Sequence, residues 1–184
     1  MYRINPHTGL ADAARQCCSP NCDDRPAECQ PDLIVIHNIS LPPGEFGGPH
    51  IDELFTNSLD PLAHAYFTEI ADVRVSAHFL IRRDGELVQY VPVAQRAWHA
   101  GESCHAGRER CNDFSIGIEL EGADDVPYEE AQYHALAALI RQLRAALPSL
   151  AGGDIVGHSD IAPGRKTDPG AAFDWGRLDT LLND

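Results

Sequence analysis

Two short apolar segments, each followed closely by a histidine, constrain the fold of this chain more than any other feature. The first covers residues 33–36 and is followed by His37. The second covers residues 155 and 156 and leads through a glycine to His158. Short β-branched runs of this kind are typical of strands buried on both faces of a sheet. Ligands of open α/β sheets bind where such strands end, so the pattern predicts a polar site at these two histidines.

Periodicity predicts the other elements of an α/β domain. Residues 75–81 and 86–91 alternate between apolar and polar, and Asp84 and Gly85 between them form a dipeptide typical of β-hairpin turns. A further strand is predicted over residues 115–122. Helices are predicted over residues 50–56, 61–70, 127–147 and 174–182, and a short helical pattern covers residues 10–15.

The domain organisation predicted from the sequence is one domain with an N-terminal extension. A chain of 184 residues has an ordinary length for a single domain. Residues 1–31 are polar, rich in Cys, Pro and Asp, and without a consistent period, so we expect them to wrap the surface of the core. Residues 32–184 are expected to form the domain itself, with the amphipathic helix over 127–147 as its main packing helix.

The charge of the chain limits its partners. A formal net charge of −14 and a pI near 4.9 argue against nucleic acid or an anionic membrane as a partner. They do not exclude an anionic small substrate held by local arginines. The N-terminus has no apolar segment of signal-peptide length, and no run of about 18 apolar residues occurs. We therefore expect a cytoplasmic protein, with a monomer as the default state.

The six cysteines allow two interpretations. Free thiols are favoured, because a disulfide framework is typical of short chains in an oxidising compartment. A structural zinc knuckle is the alternative for the four cysteines of the N-terminal segment, although their spacing forms no CxxC repeat. These four are Cys17, Cys18, Cys22 and Cys29.

The loop over residues 157–170 combines a histidine, a lysine and an aspartate between prolines and glycines. His158 and Asp168 are two of the three protein ligands that a catalytic zinc usually takes, with its fourth position left for water. Lys166 is the only lysine among the fourteen basic residues, and its ammonium can stabilise an oxyanion beside a metal. A surface loop with incidental charges is the alternative interpretation.

The predicted strands carry a candidate third ligand and two candidate general bases. His37, which follows a buried strand, is the candidate ligand, because the set still lacks a third member. A hydrogen-bonded histidine at a strand end is the alternative interpretation. Glu119 and Glu121 share one face of the strand over 115–122, opposite its apolar residues. Glu119 is the better candidate base, since it lies nearer the buried middle, where desolvation raises a carboxyl pKa. Small residues on that face, such as Gly117, are expected to leave space for substrate.

Two further segments are expected to border a cleft. The Pro- and Gly-rich loop over residues 41–60 follows His37 and has the length typical of a binding wall. Trp98 and His99 place an aromatic ring and an imidazole on one turn, which suits contact with a sugar or a peptide. A packed tryptophan with a hydrogen-bonded histidine is an equal alternative. Arg110, in the next polar loop, can hold a carboxylate by bidentate pairing.

Five long runs of this chain match a known family. They are HNISLPPGEFGG (37–48), RVSAHFLIRRDGELVQYVP (74–92), RAWHAG (96–101), RERCNDFSIGIELEG (108–122) and RKTDPG (165–170). With these runs the chain resembles the zinc-dependent N-acetylmuramoyl-L-alanine amidases of the amidase-2 type, over about residues 33–175. The cysteine-rich N-terminal segment is the part least like the family.

The resemblance implies a fold, a cofactor and site residues. The fold is a mixed central sheet flanked by helices, shared with peptidoglycan-recognition proteins. The cofactor is Zn²⁺, held by two histidines and an aspartate that fall on His37, His158 and Asp168. The catalytic glutamate of the family falls on Glu119, and the lysine that stabilises the transition state falls on Lys166.

The resemblance also implies a substrate, an anhydro-muropeptide. The bond cut joins 1,6-anhydro-N-acetylmuramic acid to L-alanine of the stem peptide, during peptidoglycan recycling in the cytoplasm. Asn38, Trp98 and His99 are expected to border the amide and the sugar, and Arg74 and Arg110 to line the peptide side. The alternatives are a non-catalytic peptidoglycan-recognition module on the same fold and an autolysin acting on external murein.

Overall fold

A central β-sheet with helices on both faces organises the computed structural model, which describes residues 3–184. The strands are β1 (Arg15–Gln16), β2 (Cys22–Asp24), β3 (Leu33–Ile39), β4 (Phe79–Ile81), β5 (Leu87–Gln89), β6 (Gln95–Ala97), β7 (Cys104–His105), β8 (Arg108–Glu109), β9 (Ser115–Glu121) and β10 (Asp154–Gly157). The helices are α1 (His50–Phe55), α2 (Ala65–Ile70), α3 (Glu130–Ala146), α4 (His158–Ile161) and α5 (Trp175–Asn183). Short 3-10 helices lie at Cys111–Asp113 and Pro148–Leu150.

The sheet is mixed, as expected from the family resemblance. Six strands follow the order β1-β5-β4-β9-β3-β10. Strands β4, β9, β3 and β10 are parallel, whereas β5 is antiparallel to β4 and β1 is parallel to β5. Two small antiparallel pairs, β2 with β6 and β7 with β8, lie outside this sheet. The α/β class predicted from the two apolar segments is confirmed, because β3 and β10 pair directly.

One face of the sheet packs on α3 and α5. The side chains that alternate toward this face on β3 and β9 join the leucines of α3 in one core cluster. Burying each such aliphatic side chain contributes about 1.5–3 kcal/mol, so this face supplies much of the stability of the domain. The cluster includes Ile34, Ile36, Ile116, Ile118, Leu120, Leu136, Leu139, Ile140 and Leu143.

Helix α3 begins three residues later than the sequence pattern predicts. The backbone N–H of Glu129 donates to the side-chain oxygen of Gln132 at 3.0 Å, in a capping box that sets the first turn. The Gln132 amide also donates to the carbonyl oxygens of Ile81 and Glu121, at 3.3 and 3.0 Å. The start of the helix is therefore tied to the ends of β4 and β9.

The opposite face of the sheet carries the polar residues. On β3 it presents Leu33, Val35 and then His37, and on β9 it presents Gly117 and then Glu119. Helix α1, helix α2 and the loop before them cover part of this face with a second apolar cluster. The remaining part, at the carboxyl ends of β3, β9 and β10, is the place predicted for a site.

The N-terminal segment contributes to the core as well as to the surface. Strand β1 extends the main sheet at its edge, whereas the helical pattern predicted over residues 10–15 is wrong. The half-buried Arg25 donates from its guanidinium to the carbonyl oxygens of Asp113 and Ser115, both at 2.9 Å. The predicted segment 1–31, whose first two residues lie outside the described part, is thus fastened to the domain over 32–184.

The remaining elements follow the sequence pattern with shorter bounds. The predicted hairpin is confirmed as β4 and β5, and Gly85 adopts a φ of 86° in its turn, a conformation that favours glycine. Helix α2 covers only the second half of the stretch predicted over 61–70. In the part of the chain that the structure describes, no helix has the length and apolar character needed to cross a membrane.

Candidate metal and active site

The register of the parallel strands brings the two predicted histidines together. Strand β3 pairs with β9 so that His37 lies beside Glu119. Strand β10 pairs with β3 on the other side, with Gly157 opposite Ile36. His158 is the next residue after Gly157 and therefore comes beside His37. Residues that are 121 positions apart in the sequence are adjacent because both strands run in the same direction.

The ligand atoms of three side chains form a compact triangle. His37 Nδ1 lies 3.0 Å from His158 Nδ1, and each nitrogen lies 3.0 Å from Asp168 Oδ2. A tetrahedral zinc with bonds of about 2.0–2.1 Å holds its ligand atoms about 3.3 Å apart. The triangle needs to open by only a few tenths of an ångström, and two imidazoles with one carboxylate are a donor set that zinc accepts. These three residues therefore fit a zinc ion.

The protonation states of the group also suit a metal. Burial lowers the pKa of His37 to about 4, so its imidazole is neutral near pH 7. An aspartate carboxyl such as that of Asp168 is ionised near pH 7 as well. A neutral imidazole and an ionised carboxylate are the forms that bind a cation.

Hydrogen bonds to backbone carbonyl oxygens hold the loop that presents Asp168. The N–H of Ser159 donates to the carbonyl oxygen of Asp168 at 3.0 Å, which ties the loop to α4. The hydroxyl of Tyr128 donates to the carbonyl oxygen of Pro169 at 2.7 Å. The N–H of Lys166 donates to the carbonyl oxygen of Ala162 at 3.1 Å. The carboxylate is thus positioned by the fold before any ligand binds.

Glu119 is a buried carboxyl with a free oxygen. Its side chain is 9% exposed, and its Oε2 atom has no hydrogen-bond partner. Burial raises the pKa of Glu119 well above its ordinary value, the charge of Asp168 raises it further, and Lys166 opposes this. An unpaired carboxyl of raised pKa beside a metal-ligand set is suited to accept and donate a proton.

Glu121, the other acid on the same face, has a different environment. Its Oε1 accepts hydrogen bonds from Arg82 at 3.0 Å and from the N–H of Gly47 at 2.6 Å. Its Oε2 accepts from the N–H of Arg83 at 3.2 Å. This carboxylate therefore holds the loop of Gly47 against the sheet, and the preference for Glu119 as the base has a structural reason.

A groove of about 430 Å³ joins these groups. Lys166 and Glu119 line it together with the three candidate ligands, so the structure brings all five predicted metal and catalytic residues to one place. The loop over 41–60 borders the groove, as predicted. The sequence did not indicate the apolar wall that α2 and the segment after it contribute. The apolar lining comprises Ile39, Leu41, Pro43, Leu54, Phe55, Tyr66, Ile70, Val73 and Val75.

Two of the five predicted substrate contacts line the groove. Asn38 does so, with its amide donating to Asp124 Oδ1 at 2.8 Å. His99 also does so but is only 9% exposed, and its Nδ1 lies 2.9 Å from His37 Nε2. The position of His99 behind a candidate metal ligand corresponds to the hydrogen-bonded histidine that the sequence left as an alternative.

The other three predicted contacts lie outside the groove lining. The Arg74 guanidinium donates to the carbonyl oxygens of its own loop, at 3.0 and 3.1 Å. Trp98 is half-buried, and its backbone N–H donates to the backbone carbonyl oxygen of Asn21 at 3.3 Å. The Arg110 side chain is 71% exposed and lies 3.3 Å from Asp113.

The space expected above Gly117 is not open to substrate. A Cβ atom built at this position would lie 2.4 Å from Cγ of His99, so the imidazole fills the space. The sequence indicated correctly that the face carries a small residue, but the group that packs there comes from the segment after β6.

Comparison with known proteins places this geometry among amidases. The amidase-2 family model, described as N-acetylmuramoyl-L-alanine amidase, matches residues 27–171. The chain is 61% identical over 177 residues to the 1,6-anhydro-N-acetylmuramyl-L-alanine amidase AmpD of Salmonella typhimurium (strain SL1344), covering 96% of this chain and 94% of that one.

Solved structures agree with the sequence comparison. A crystal structure of a Se-Met AmpD derivative superposes with a TM-score of 0.92 at 59% identity, covering 95% of this chain and 97% of that chain. The amidase AmiD from E. coli, in complex with the substrate anhydro-N-acetylmuramic acid-L-Ala-D-gamma-Glu-L-Lys, superposes with a TM-score of 0.56 at 29% identity. That match covers 94% of this chain and 60% of AmiD.

Proposed function

Because this chain belongs to the N-acetylmuramoyl-L-alanine amidase family, we propose that it hydrolyses the amide bond between 1,6-anhydro-N-acetylmuramic acid and L-alanine of the stem peptide. The chain is an amidase, and the relatives that match it over nearly their full length carry this activity in their names. We further propose that it depends on Zn²⁺ and acts on cytoplasmic muropeptides in peptidoglycan recycling.

One observation carries the proposal. Three ligand atoms from two strand ends and one loop lie 3.0 Å apart, and the unpartnered carboxyl of Glu119 lines the same groove. His37, His158 and Asp168 would hold the metal. A zinc ion bound there supplies a Lewis acid that activates water and polarises the amide carbonyl.

Glu119 and Lys166 perform the proton transfer and the charge stabilisation in this mechanism. Glu119 removes a proton from the attacking water as its oxygen bonds to the carbonyl carbon. It then donates that proton to the nitrogen of L-alanine as the C–N bond breaks, which releases the peptide with a free amine. The ammonium of Lys166 stabilises the negative charge that develops on the carbonyl oxygen.

The groove supports the substrate assignment by its size and lining. Its volume of about 430 Å³ lies in the range typical of small-ligand sites, and one wall is apolar. An apolar wall beside a polar floor suits a sugar with an acetamido methyl group and an attached peptide. On the peptide side we retain Arg74 and Arg110 as candidate contacts, since the side chain of each is exposed.

The alternatives of a recognition module and of an external autolysin are disfavoured for different reasons. A module that only binds peptidoglycan requires no ligand triangle and no unpaired buried carboxyl beside it. An autolysin would act on intact murein, whereas the AmpD relative is named for a 1,6-anhydro substrate. Comparing turnover of anhydro-muropeptide with release of peptide from intact sacculi separates the two enzymes.

The test combines zinc stoichiometry with cleavage of anhydro-muramyl tripeptide, for wild type and Asp168→Ala. We expect one zinc per wild-type chain and free tripeptide as the product, and loss of both in the variant. A zinc-loaded wild type that binds the muropeptide without releasing peptide would favour the recognition module. A wild type that cleaves the substrate in the presence of a strong chelator would refute the metal assignment.

A further inference from the structure

A chain of hydrogen bonds runs from the candidate metal ligand His37 into the core. His37 Nε2 lies 2.9 Å from His99 Nδ1, and His99 Nε2 lies 3.1 Å from Oγ of Ser115. The Ser115 hydroxyl lies 2.6 Å from the carbonyl oxygen of Cys111. Each of these four residues is buried, so water does not compete for these bonds.

The carbonyl oxygen of Cys111, at the end of this series of hydrogen bonds, fixes the donor and acceptor of every bond in the series. A carbonyl oxygen only accepts, so Ser115 donates its proton to Cys111 and accepts from His99 Nε2–H. A neutral imidazole that donates from Nε2 accepts at Nδ1, so His99 accepts from His37 Nε2–H. The lone pair of His37 is then on Nδ1, the atom that faces His158 and Asp168.

Ala100, the residue after His99, fixes the protonated nitrogen of the His158 imidazole in the same way. His158 Nε2 lies 3.1 Å from the carbonyl oxygen of Ala100 and donates to it, so the lone pair of His158 is also on Nδ1. The amide oxygen of Asn112 accepts from the N–H groups of His99 and Ala100, at 3.1 and 2.8 Å. The adjacent residues His99 and Ala100, both held by Asn112, therefore orient the two candidate histidine ligands.

The result is a set of three acceptor atoms that face one another at 3.0 Å with no proton between them. Acceptors at this distance repel, and a cation between them removes the repulsion. The hydrogen-bond chain thus prepares the three ligands for a metal. It also gives a reason for Gly117, because any Cβ there would displace the His99 ring, which lies 2.4 Å from the Cβ position.

We propose that His99 is a positioning residue of the metal site, which accepts from His37 Nε2–H and thereby directs the Nδ1 lone pair of His37 at the metal. Ser115 supports it by accepting from His99 Nε2–H. His99 acts through His37 and contacts neither the metal nor the scissile bond. This inference rests on the proposed zinc site.

The test measures the zinc dissociation constant by competition with a chromophoric chelator, for wild type, His99→Leu and His99→Asn. Leucine fills the space without an acceptor, whereas the Oδ1 of asparagine is bonded to Cγ as Nδ1 of histidine is. Loss of such a partner typically weakens metal binding about 10–100-fold. We expect this loss for His99→Leu, and a zinc affinity within about threefold of wild type for His99→Asn.

Further readouts separate positioning from other roles. The KM of zinc-saturated His99→Leu should equal that of wild type, whereas a substrate contact would raise KM and leave zinc affinity unchanged. The visible spectrum of the Co²⁺-substituted variant should differ from that of wild type, because the ligand geometry changes. Ser115→Ala changes one atom and should weaken zinc binding several-fold, which keeps the test decisive even if His99→Leu does not fold.

His78 provides a matched control. It is fully buried on the same face, with its ring centroid 5.8 Å from that of His99, and it bonds to Gly117 N–H and to the carbonyl oxygen of Gln95. His78→Leu should lower Tm without changing zinc affinity. Wild-type zinc affinity in His99→Leu or Ser115→Ala, or equal weakening in His78→Leu, would overturn the inference. A wild-type chain that binds no zinc would instead refute the proposed function.

Discussion

Replacing Glu119 by Gln should abolish most of the activity while leaving the zinc site intact. The substitution keeps the shape of the side chain and removes only its ability to accept a proton. General base catalysis contributes about 10²–10⁴-fold to a rate. Since Oε2 has no other partner, the whole function of the carboxyl is lost, and we expect kcat to fall about 10³-fold. This corresponds to about 4 kcal/mol of transition-state stabilisation.

The same variant should be more stable than wild type at neutral pH when zinc is removed. Burial raises the pKa of Glu119 in the folded state above its value in the unfolded chain, so the folded state binds more protons. The stability that this proton provides is fully present below about pH 4.3 and is lost as pH rises through the folded pKa. Glutamine carries no charge, so the stability of Glu119→Gln does not fall in this way. Zinc-free Glu119→Gln should therefore be more stable than zinc-free wild type at pH 7.5 and equally stable at pH 4.

Glu121→Gln is the matched control, on the same strand and the same face. Its carboxylate is 2% exposed and pairs with Arg82 at 3.0 Å. Removing one partner of a buried ion pair costs about 3–5 kcal/mol, which corresponds to a fall in Tm of about 6–20 °C for a domain of this size. The folded fraction should retain a kcat near that of wild type, because Glu121 is engaged with Arg82 and the loop of Gly47.

The assay is release of tripeptide from anhydro-muramyl tripeptide, followed by chromatography, with zinc content measured on the same samples. Thermal unfolding in chelator at pH 7.5 and at pH 4 gives the stability comparison. A Glu119→Gln variant that keeps more than a tenth of wild-type kcat would refute its role as the base. Loss of zinc in that variant would assign Glu119 to metal binding, and an activity loss in Glu121→Gln as large as in Glu119→Gln would refute the distinction between the two acids.

Three further predictions concern the charges around the site. Lys166→Met should lower kcat about 10²–10³-fold with zinc content unchanged, as loss of an oxyanion partner does, and steady-state kinetics on zinc-loaded protein check it. Arg110→Ala should raise KM while sparing zinc content, and unchanged kinetics would remove this residue from the peptide side. In zinc-free protein, burial lowers the pKa of His37 to about 4 and that of His78 to about 3. In zinc-free Glu119→Gln, which lacks the opposite contribution of Glu119, stability in urea should therefore be full above about pH 6.5 and fall as pH is lowered toward 4, because the unfolded chain binds more protons in that window.

The two candidate histidine ligands could be brought together from the sequence because local rules act on them. An apolar run predicts a strand, and the residue after a buried strand lies at its carboxyl end. Parallel pairing then brings His37 and His158 together without further information. The faces of β9 were predictable for the same reason, since alternation has a period of two and is independent of the rest of the chain.

The side chains around the ligands were not predictable in this way. The orientation of Arg74 depends on two carbonyl oxygens of its own loop, and that of Arg110 on an aspartate three residues later. Strand β1 has two residues, which is too short for any period, and its place at the sheet edge is set by pairing with β5. Tertiary contacts decide such features, and a helical pattern over six residues does not outweigh them.

The two glutamates of β9 show where sequence reasoning on function reaches its limit. They have the same residue type and lie on the same face, so composition and periodicity do not separate them. The preference for Glu119 as nearer the buried middle of the strand does not separate them either, because Glu121 is 1% exposed and Glu119 is 9% exposed. What separates them is that a guanidinium from the end of β4 reaches Glu121, whereas no donor reaches the free oxygen of Glu119. The paired carboxylate of Glu121 holds structure. Burial raises the pKa of the unpaired Glu119, which lines the groove with the candidate metal ligands and can move a proton. Arg82, a residue outside the groove, therefore helps to distinguish the two acids. Arg82→Met should leave Glu121 with only the N–H groups of Gly47 and Arg83 as partners, and should destabilise the fold without creating a second base in the groove.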